Sequence, residues 1–216
     1  MRGAAALLLV LLLVGGAGMA AKRKPRAGAG KFDYFALALS WAPEFCATSG
    51  GTKDVRECGT GRKVGFVVHG LWPEANTGRG PESCGTASPV GQSIVQAMLD
   101  YIPSASLIQH EWKTHGTCSG MSQADFFAAV RKTRDAIVIP EAFRAPSDPA
   151  TLAPAEVEEK FAAANPNFPR DAFRATCSGK VMSGIRACFS KDLSPQACTS
   201  AAGQCSASSV TVLPVR

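Results

Sequence analysis

The 216-residue sequence lacks several features that would assign it to a familiar class of protein. No CxxC or CxxH pair occurs, which argues against a zinc site built on such pairs. Internal repeats are absent, which excludes a solenoid, and no Asn-x-Ser/Thr sequon with an allowed middle residue is present. Charged residues make up only 19% of the chain and apolar residues 46%, which is typical of an ordinary globular domain and not of a disordered chain.

Acidic residues are missing from the first 30 positions, which contain five basic ones: Arg2, Lys22, Arg23, Lys24 and Arg26. The formal net charge of the whole chain is +6, so most of the excess positive charge lies in this segment. The rest of the chain is nearly neutral, and its charge does not by itself indicate a nucleic-acid or membrane partner.

The N-terminal segment has the organisation of a secretory signal peptide. Arg2 supplies a positive n-region, residues 4–14 form an apolar h-region, and residues 18–20 or 19–21 offer a small-residue cleavage site. We therefore predict a signal peptide over residues 1–20. The apolar run is shorter than the roughly 20 residues that a membrane-spanning helix needs. An uncleaved anchor remains the alternative, because basic residues follow the run directly.

Residues 21–31 are basic and then rich in glycine and alanine, which predicts a flexible tail before a folded domain over residues 32–216. No later segment is long and apolar enough to span a membrane. We expect a protein without membrane attachment after signal removal, located in the periplasm or secreted. The missing sequon weakly favours the periplasm.

Cysteine usage agrees with export. The chain has eight cysteines, an even number, and all follow the predicted signal: Cys46, Cys58, Cys84, Cys118, Cys177, Cys188, Cys198 and Cys205. In an oxidising compartment four disulfides are the expected outcome. Eight cysteines allow 105 pairings, so spacing alone does not select one.

Hydrophobic patterning predicts a mixture of strands and helices. Large and small residues alternate from Phe35 to Trp41, which is typical of a strand. A second short strand over residues 64–68 ends at His69, where Gly70 and Pro73 turn the chain. The other predicted elements are helices over residues 93–101, 122–137 and 155–164, a proline-containing loop over 142–154, and strands over 181–189 and 209–215. This irregular order favours an α+β fold with a central, mostly antiparallel sheet flanked by helices, in one disulfide-rich domain.

The three histidines are the main candidates for chemistry, because imidazole exchanges protons near neutral pH. His110 and His115 are five residues apart, whereas a zinc-binding HExxH helix needs a spacing of four. On an α-helix they diverge by roughly 140°, so they would not share a zinc ion. Glu111 and His115, and likewise His110 and Thr114, are four apart and share a face, which suits a carboxylate that orients an imidazole.

Two residues after His69 suit base binding. Trp72 supplies a flat apolar surface, and Glu74 supplies a hydrogen-bond acceptor. Stacking of a base on an aromatic side chain contributes about 1–3 kcal/mol whatever the base. A core tryptophan beside a solvated glutamate is the alternative interpretation.

Together these residues resemble the ribonuclease T2 family of secreted, acid-preferring endoribonucleases. The segments His69–Pro73 (HGLWP) and His110–Cys118 (HEWKTHGTC) are similar to its two active-site motifs. The likeness extends from Phe35–Trp41 to Ile185–Phe189 and covers nearly the whole chain after the signal. The domain over residues 32–216 is thereby identified as a ribonuclease catalytic domain.

The resemblance implies a role for each site residue. His115 would act as general base on the ribose 2′-hydroxyl and His69 as general acid on the leaving 5′-oxygen. His110 would contact the phosphate, and Glu111 would support the transition state. Trp72 and Glu74 match the base-binding positions of the family.

One position departs from the family pattern. The family has lysine directly before the second-motif histidine, where this chain has Thr114, with Lys113 one residue earlier. Either Lys113 reaches the substrate on its flexible stem, or Thr114 forms a hydrogen bond instead. A missing cation would lower the rate, since one donor to a developing charge contributes about 3 kcal/mol elsewhere.

The resemblance also implies four disulfides: Cys46–Cys58, Cys84–Cys118, Cys177–Cys205 and Cys188–Cys198. We expect a monomeric enzyme that needs no metal or other cofactor and cleaves single-stranded RNA, with little base specificity, through a 2′,3′-cyclic phosphate. DNA lacks the 2′-hydroxyl nucleophile and should not be cleaved. The alternatives are an inactive secreted protein that binds RNA or a host molecule on the same scaffold, and a zinc hydrolase, which the histidine spacing disfavours.

Overall fold

The computed structural model of the protein describes residues 28–48, 55–59, 61–201 and 203–215. The predicted signal peptide over residues 1–20 lies outside the described residues, as does the part of the predicted tail over residues 21–27. Residues 28–31, also assigned to the tail, contact the domain, since the Gly30 N–H donates to the Cys118 carbonyl at 2.8 Å.

The centre of the domain is a six-stranded sheet. Its strands are β1 (Tyr34–Trp41), β2 (Phe66–Glu74), β3 (Ala150–Leu152), β4 (Phe173–Ser178), β5 (Val181–Phe189) and β6 (Val210–Val212). The order across the sheet is β2-β1-β5-β6-β3, and β4 also pairs with β5. Among the strands that the structure describes, β5 and β6 are the only parallel pair. The predicted α+β fold with a mostly antiparallel sheet is therefore confirmed.

The alternation in β1 separates the two faces of the sheet. The large side chains of Phe35, Leu37, Leu39 and Trp41 are at most 2% exposed and pack with the helices in the main core. The intervening residues Ala36, Ala38 and Ser40 are small and lie on the opposite face. That face consequently has room for longer side chains from the neighbouring strands.

Strand β2 corrects the prediction of a turn after His69. The strand continues through the whole segment to Glu74, and its register against β1 shifts between Ala38 and Leu39. Val68 pairs with Leu39 and Gly70 with Ala38, which leaves His69 as the extra residue of a β-bulge. Gly70 and Pro73 are residue types that favour turns, but here the strand continues through them and accommodates the extra residue as a bulge.

Helices pack against the core face of the sheet. They are α1 (Ala42–Thr48), α2 (Val55–Cys58), α3 (Gln92–Met98), α4 (Ala105–Glu111), α5 (Thr117–Ser119), α6 (Gln123–Asp135) and α7 (Pro154–Ala164). The predicted helices within residues 93–101, 122–137 and 155–164 are confirmed as α3, α6 and α7. Helix α6 begins as expected, because Ser122 Oγ accepts a hydrogen bond from the Asp125 N–H at 3.2 Å. No helix among the described residues is long and apolar enough to cross a membrane.

Two short strands were not predicted. Strand β3 lies inside the predicted loop and consists of three residues that pair with β6. Strand β4 follows Pro169, and its alternating residues Phe173 and Ala175 are buried. Both strands depend on pairing with distant segments, which a local pattern does not show. A 3₁₀ turn (Glu141–Phe143) overlaps the start of the predicted loop.

The second-motif segment is not one regular α-helix. Helix α4 ends at Glu111, and a π-helical turn (Trp112–Gly116) connects it to α5. A π-turn has i→i+5 hydrogen bonding, so residues five apart come to lie on the same side. The divergence of roughly 140° derived for His110 and His115 on an α-helix therefore does not apply to this turn.

The domain contains four disulfides: Cys46–Cys58, Cys84–Cys118, Cys177–Cys205 and Cys188–Cys198. These are the four pairs that the family resemblance implies. Cys84–Cys118 joins the loop after β2 to α5, which directly follows the π-turn, and the Ser83 N–H donates to the Thr114 carbonyl of that turn at 2.7 Å. This loop is thereby held against the helical segment that carries His115.

Candidate active site

The candidate site lies on the small-residue face of the sheet. Arg186 of β5, Ala38 of β1 and Gly70 of β2 form one row across three strands. Trp72 and Glu74 follow on the same face of β2. The short side chain of Ala38 leaves the centre of the row open, so Arg186 and Trp72 can approach each other across β1. The guanidinium carbon of Arg186 lies 4.7 Å from the Trp72 ring centroid.

Glu111 is the most buried charged residue of the site, with 1% of its side chain exposed. Trp72 Nε1 donates a hydrogen bond to Glu111 Oε2 at 2.9 Å. Gly70 lies directly below this carboxylate, and a Cβ atom at Gly70 would overlap it. The glycine of the first motif is therefore needed for the close approach of Glu111 to the sheet.

His69 is placed by the bulge in β2. Its Nδ1 lies 3.1 Å from Ser40 Oγ, and its Nε2 lies 3.6 Å from Glu111 Oε1. The side chain is 41% exposed. An extra residue in a strand re-aims a side chain, and here it brings the imidazole beside the carboxylate while leaving it accessible to substrate.

His115 is buried and packs on the tryptophan. Its ring is stacked on Trp72, with the ring centroids 5.2 Å apart and the planes inclined by 28°. His115 Nδ1 and Glu111 Oε1 have no hydrogen-bond partner among the described residues. Buried polar atoms without partners are rare and commonly belong to functional sites.

The carboxylate contact differs from the sequence prediction. Helical spacing pairs Glu111 with His115, whereas the structure places Glu111 beside His69 and Trp72. The π-turn rotates His115 away from the position that regular α-helical spacing predicts. The predicted pairing of Glu111 with His115 is therefore wrong.

Burial shifts the pKa values of Glu111, His115 and His69, and nearby charges add to the shifts. Burial raises the pKa of Glu111 to about 8, although the hydrogen bond from Trp72 opposes the shift. Burial, reinforced by the charges of His110, His69 and Arg186, lowers the pKa of His115 to about 4. Burial and the charges of His110 and Arg186 also lower the pKa of His69. The site therefore favours the neutral form of each group.

His110 and its neighbours lie at the solvent side. His110 is exposed, and its Nε2 lies 3.5 Å from Thr114 Oγ1, in agreement with the predicted shared face. Lys113 is also exposed and does not line the cavity beside His115. Thr114 thus contacts a predicted site residue directly, while the reach of Lys113 depends on its flexible stem.

A cavity of about 330 Å³ opens beside His115. Trp72, Glu74 and Arg186 line it together with the loop residues Arg79, Gly80, Pro81 and Glu82. Glu74 is buried, and its Oε1 lies 3.8 Å from Arg186 Nη1. Trp72 already contacts His115 and Arg186 through its ring, so it positions these groups as well as lining the cavity.

Sequence reasoning missed Arg186 as a site residue. It included this residue in a family-like segment and gave it no role. The available signal is a single charged residue inside the apolar strand formed by Met182, Ile185, Ala187 and Phe189. Across residues 28–48, 55–59, 61–201 and 203–215, no group of three or more His, Cys, Asp or Glu side chains is arranged to hold a metal ion.

Comparison with known proteins places this geometry in context. The model of the Ribonuclease T2 family matches residues 32–198. A ribonuclease of Aeromonas hydrophila is 48% identical over 98 residues, which cover 45% of this chain and 43% of that protein. Ribonuclease DdI of Dictyostelium discoideum is 27% identical over 210 residues, which cover 89% of each chain.

A solved structure shows the same architecture. The RNase-related protein from Calystegia sepium superimposes with a TM-score of 0.65 at 25% identity, covering 85% of this chain and 97% of that one. The match to the Aeromonas enzyme, in contrast, spans less than half the length of that relative.

Proposed function

The chain belongs to the Ribonuclease T2 family, and from this premise we propose that it is an endoribonuclease that cleaves single-stranded RNA by two-histidine transesterification. The observation that carries the proposal is that His69 and His115 both pack against the ring of Trp72, whose indole N–H donates to the buried carboxyl group of Glu111 beside His69. General acid–base catalysis requires a base and an acid that reach the same reacting group from two directions.

In the proposed reaction, neutral His115 removes the proton from a ribose 2′-hydroxyl. The 2′-oxygen attacks the adjacent phosphorus, and the bond from phosphorus to the 5′-oxygen breaks. Protonated His69 donates a proton to that leaving oxygen. The products are a 2′,3′-cyclic phosphate and a free 5′-hydroxyl. The low pKa of His115 supports its role as base, because it remains neutral down to about pH 4.

Glu111 supports the reaction as a neutral acid. With its pKa raised to about 8, the carboxyl group is protonated under acidic and neutral conditions. A protonated carboxyl donates a hydrogen bond to a phosphate oxygen, whereas a carboxylate would repel the phosphate. Exposed His110, held near Thr114, is positioned to contact the same phosphate from the solvent side.

Trp72, Glu74 and Lys113 are the proposed substrate-binding residues. Trp72 and Glu74 line the cavity beside His115 and match the base-binding positions of the family. Lys113 lies on the exposed side of the π-turn, where it is available to a phosphate of the RNA chain. The four disulfides support a periplasmic or secreted location.

One observation favours the second candidate, an inactive RNA-binding protein on this scaffold. Thr114 stands where the family has a lysine, so the cation next to the general base is replaced by a hydroxyl group. The retention of His69, Glu111 and His115 favours the enzyme.

The decisive experiment incubates the oxidised protein with single-stranded RNA and with DNA of matched sequence, both in EDTA, and identifies the product ends. We expect cleavage of RNA alone, with 2′,3′-cyclic phosphate ends. His69→Ala and His115→Ala should each lower the rate about 10²–10⁴-fold, while the surface control Arg144→Ala should leave it unchanged. RNA binding without cleavage across the acidic and neutral range would favour the inactive scaffold.

A further inference from the structure

Ser40 lies beside His69 on the site face of the sheet, and the proposed reaction gives it no role. It follows Ala38 in the alternation of β1 and pairs in register with Gly184 of β5, which has no side chain. Ser40 Oγ and His69 Nδ1 are 3.1 Å apart, within hydrogen-bond distance, although the two residues are 29 positions apart in the sequence. The contact therefore depends on the register between β1 and β2 and on the bulge that contains His69.

The second ring nitrogen of His69 faces the buried carboxyl group. His69 Nε2 lies 3.6 Å from Glu111 Oε1, and the imidazole packs edge-on against Trp72 with the ring centroids 5.4 Å apart. Because Trp72 Nε1 already donates to Glu111 Oε2, the proton of the neutral carboxyl group lies on Oε1, opposite His69 Nε2. A donor opposite Nε2 and a hydroxyl group beside Nδ1 together favour a neutral imidazole that carries its proton on Nδ1.

From these contacts we propose that Ser40 is a positioning residue for His69, which holds the Nδ1–H in place while Nε2 protonates the leaving oxygen. The imidazolium carries a proton on each ring nitrogen. When Nε2 gives its proton to the 5′-oxygen of the broken phosphorus–oxygen bond, the Nδ1–H remains and continues to donate to Ser40 Oγ. The ring therefore need not rotate or exchange tautomers before Nε2 takes a new proton from water. The inference rests on the proposed ribonuclease function.

A hydroxyl group suits this position better than a carboxylate. The titratable and charged groups that surround His69 from other elements are His110 and Glu111 of α4, His115 of the π-turn and Arg186 of β5. Burial and the charges of His110 and Arg186 lower the pKa of His69, which makes the imidazolium a stronger acid. A neutral hydroxyl group accepts from Nδ1–H without adding a negative charge that would raise this pKa again.

Three substitutions test the role of the hydroxyl group. Ser40→Ala removes the acceptor of the Nδ1–H, which destabilises the imidazolium and lowers the pKa of His69 further. Since His69 must be protonated to act, the alkaline limb of the kcat/KM profile should move to lower pH by about one pH unit, and kcat at the optimum should fall about tenfold. Ser40→Thr keeps the hydroxyl group and should retain the wild-type limb. Ser40→Asp adds a negative charge and should move the limb to higher pH.

Ser183→Ala is the matched control. Ser183 is also a strand serine, but its hydroxyl group donates to Thr176 Oγ1 at 3.1 Å and not to a histidine. This variant should leave the rate and the pH profile unchanged. An equal loss of rate in Ser40→Ala and Ser40→Thr would overturn the inference, because it would show that Ser40 only fills space. A loss in Ser40→Ala at every pH, without movement of the alkaline limb, would overturn it for the same reason.

Nuclear magnetic resonance of the free protein makes the test independent of catalysis. The nitrogen chemical shifts of the ring distinguish the Nδ1–H tautomer from the Nε2–H tautomer, and their titration gives the pKa of His69. We expect the Nδ1–H tautomer in the wild type and in Ser40→Thr, and a mixture of tautomers with a lower pKa in Ser40→Ala. The same tautomer and the same pKa in the wild type and in Ser40→Ala would overturn the inference. Failure of the wild-type protein to cleave RNA, with the expected tautomer present, would count against the proposed function alone.

Discussion

At the scale of single residues, burial determines the chemistry of the site. Glu111 reaches the sheet because Gly70 has no side chain, and the same burial keeps its carboxyl group neutral. His115 is buried against Trp72, and desolvation keeps its imidazole neutral. His69 is more exposed, as expected for a proposed acid that must recover its proton from water between turnovers.

These shifts predict an acidic pH optimum. As pH rises through about 4, His115 loses its proton and becomes a competent base. As pH rises further, His69 loses the proton that it must donate, and its pKa lies below its ordinary value. The pH profile of kcat/KM should therefore be bell-shaped, with its maximum between about pH 4 and 6.5. Steady-state rates on a short RNA would measure it, and a maximum above pH 7 would contradict the assignment.

Gly70→Ala tests the close approach of Glu111 to the sheet. The added methyl group would displace the carboxylate and loosen its hydrogen bond to Trp72. We expect kcat to fall about 10²-fold, as for a displacement of about 1 Å in a catalytic site. Gly91→Ala is a suitable control, because a Cβ atom there meets nothing within 4 Å. Equal rates for the two variants would show that Glu111 tolerates displacement.

At the scale of the elements, two local irregularities assemble the site. The bulge in β2 places both His69 and Gly70 on the site face, and the π-turn after Glu111 orients His115 toward Trp72. A regular strand and a regular helix would present these side chains in other directions. The Cys84–Cys118 disulfide then holds the cavity loop against the π-turn.

The two N-terminal disulfides should differ in their effects. Replacing Cys84 and Cys118 by serine should lower the free energy of unfolding by about 3–4 kcal/mol, because the bond closes a loop with a sequence separation of 34 residues. It should also lower kcat/KM about tenfold by releasing the loop. Replacing Cys46 and Cys58, with a separation of 12, should cost about 1 kcal/mol less and leave kcat/KM nearly unchanged. Urea unfolding would measure the loss of stability in each double variant, and steady-state kinetics would measure kcat/KM. An equal fall in kcat/KM for the two variants would contradict the proposal that the Cys84–Cys118 bond holds the cavity loop in place.

At the scale of the whole molecule, the two faces of the sheet have different roles, since one packs in the core and the other carries the candidate site. One face carries the large residues of β1 and the aromatic core with α6 and α7, while the other carries small residues and the site. Excess positive charge lies mainly outside this domain, in residues 1–30. The rest of the chain is nearly neutral, so its net charge supplies little long-range attraction for RNA.

Deletion of residues 21–27 tests whether this basic segment contributes to RNA binding. The segment contributes four basic residues, Lys22, Arg23, Lys24 and Arg26. The sequence predicts a flexible tail here, and such a tail would make no lasting phosphate contacts, so the slope of log K against log salt for RNA binding should not change. Each lost phosphate contact would reduce that slope by about 0.7 for single strands. Fluorescence anisotropy across a salt series would show a difference.

Much of the fold was predictable, because its signals are local. Alternation in β1 and β5, the capping residues of α6 and the helix-ending prolines all act within a few positions. The bulge is also visible in the sequence of β2. The residues that face the core are Phe66 and Val68 before the bulge and Leu71 and Pro73 after it, so the alternation shifts by one position. Strand β3, in contrast, consists of three residues that are stabilised only by pairing with β6.

The motifs, their order, the export signature and the three histidines with Glu111 can all be read from the primary structure. Which of these groups contact one another depends on how the chain folds. The tertiary structure placed Glu111 beside His69 instead of His115, and it brought Arg186 to the cavity of Glu74 from a position 112 residues further along the chain. Spacing predicts partners correctly while the backbone is regular, and here a bulge and a π-turn redirect the side chains. Cross-strand neighbours depend on register, which is a property of the folded sheet.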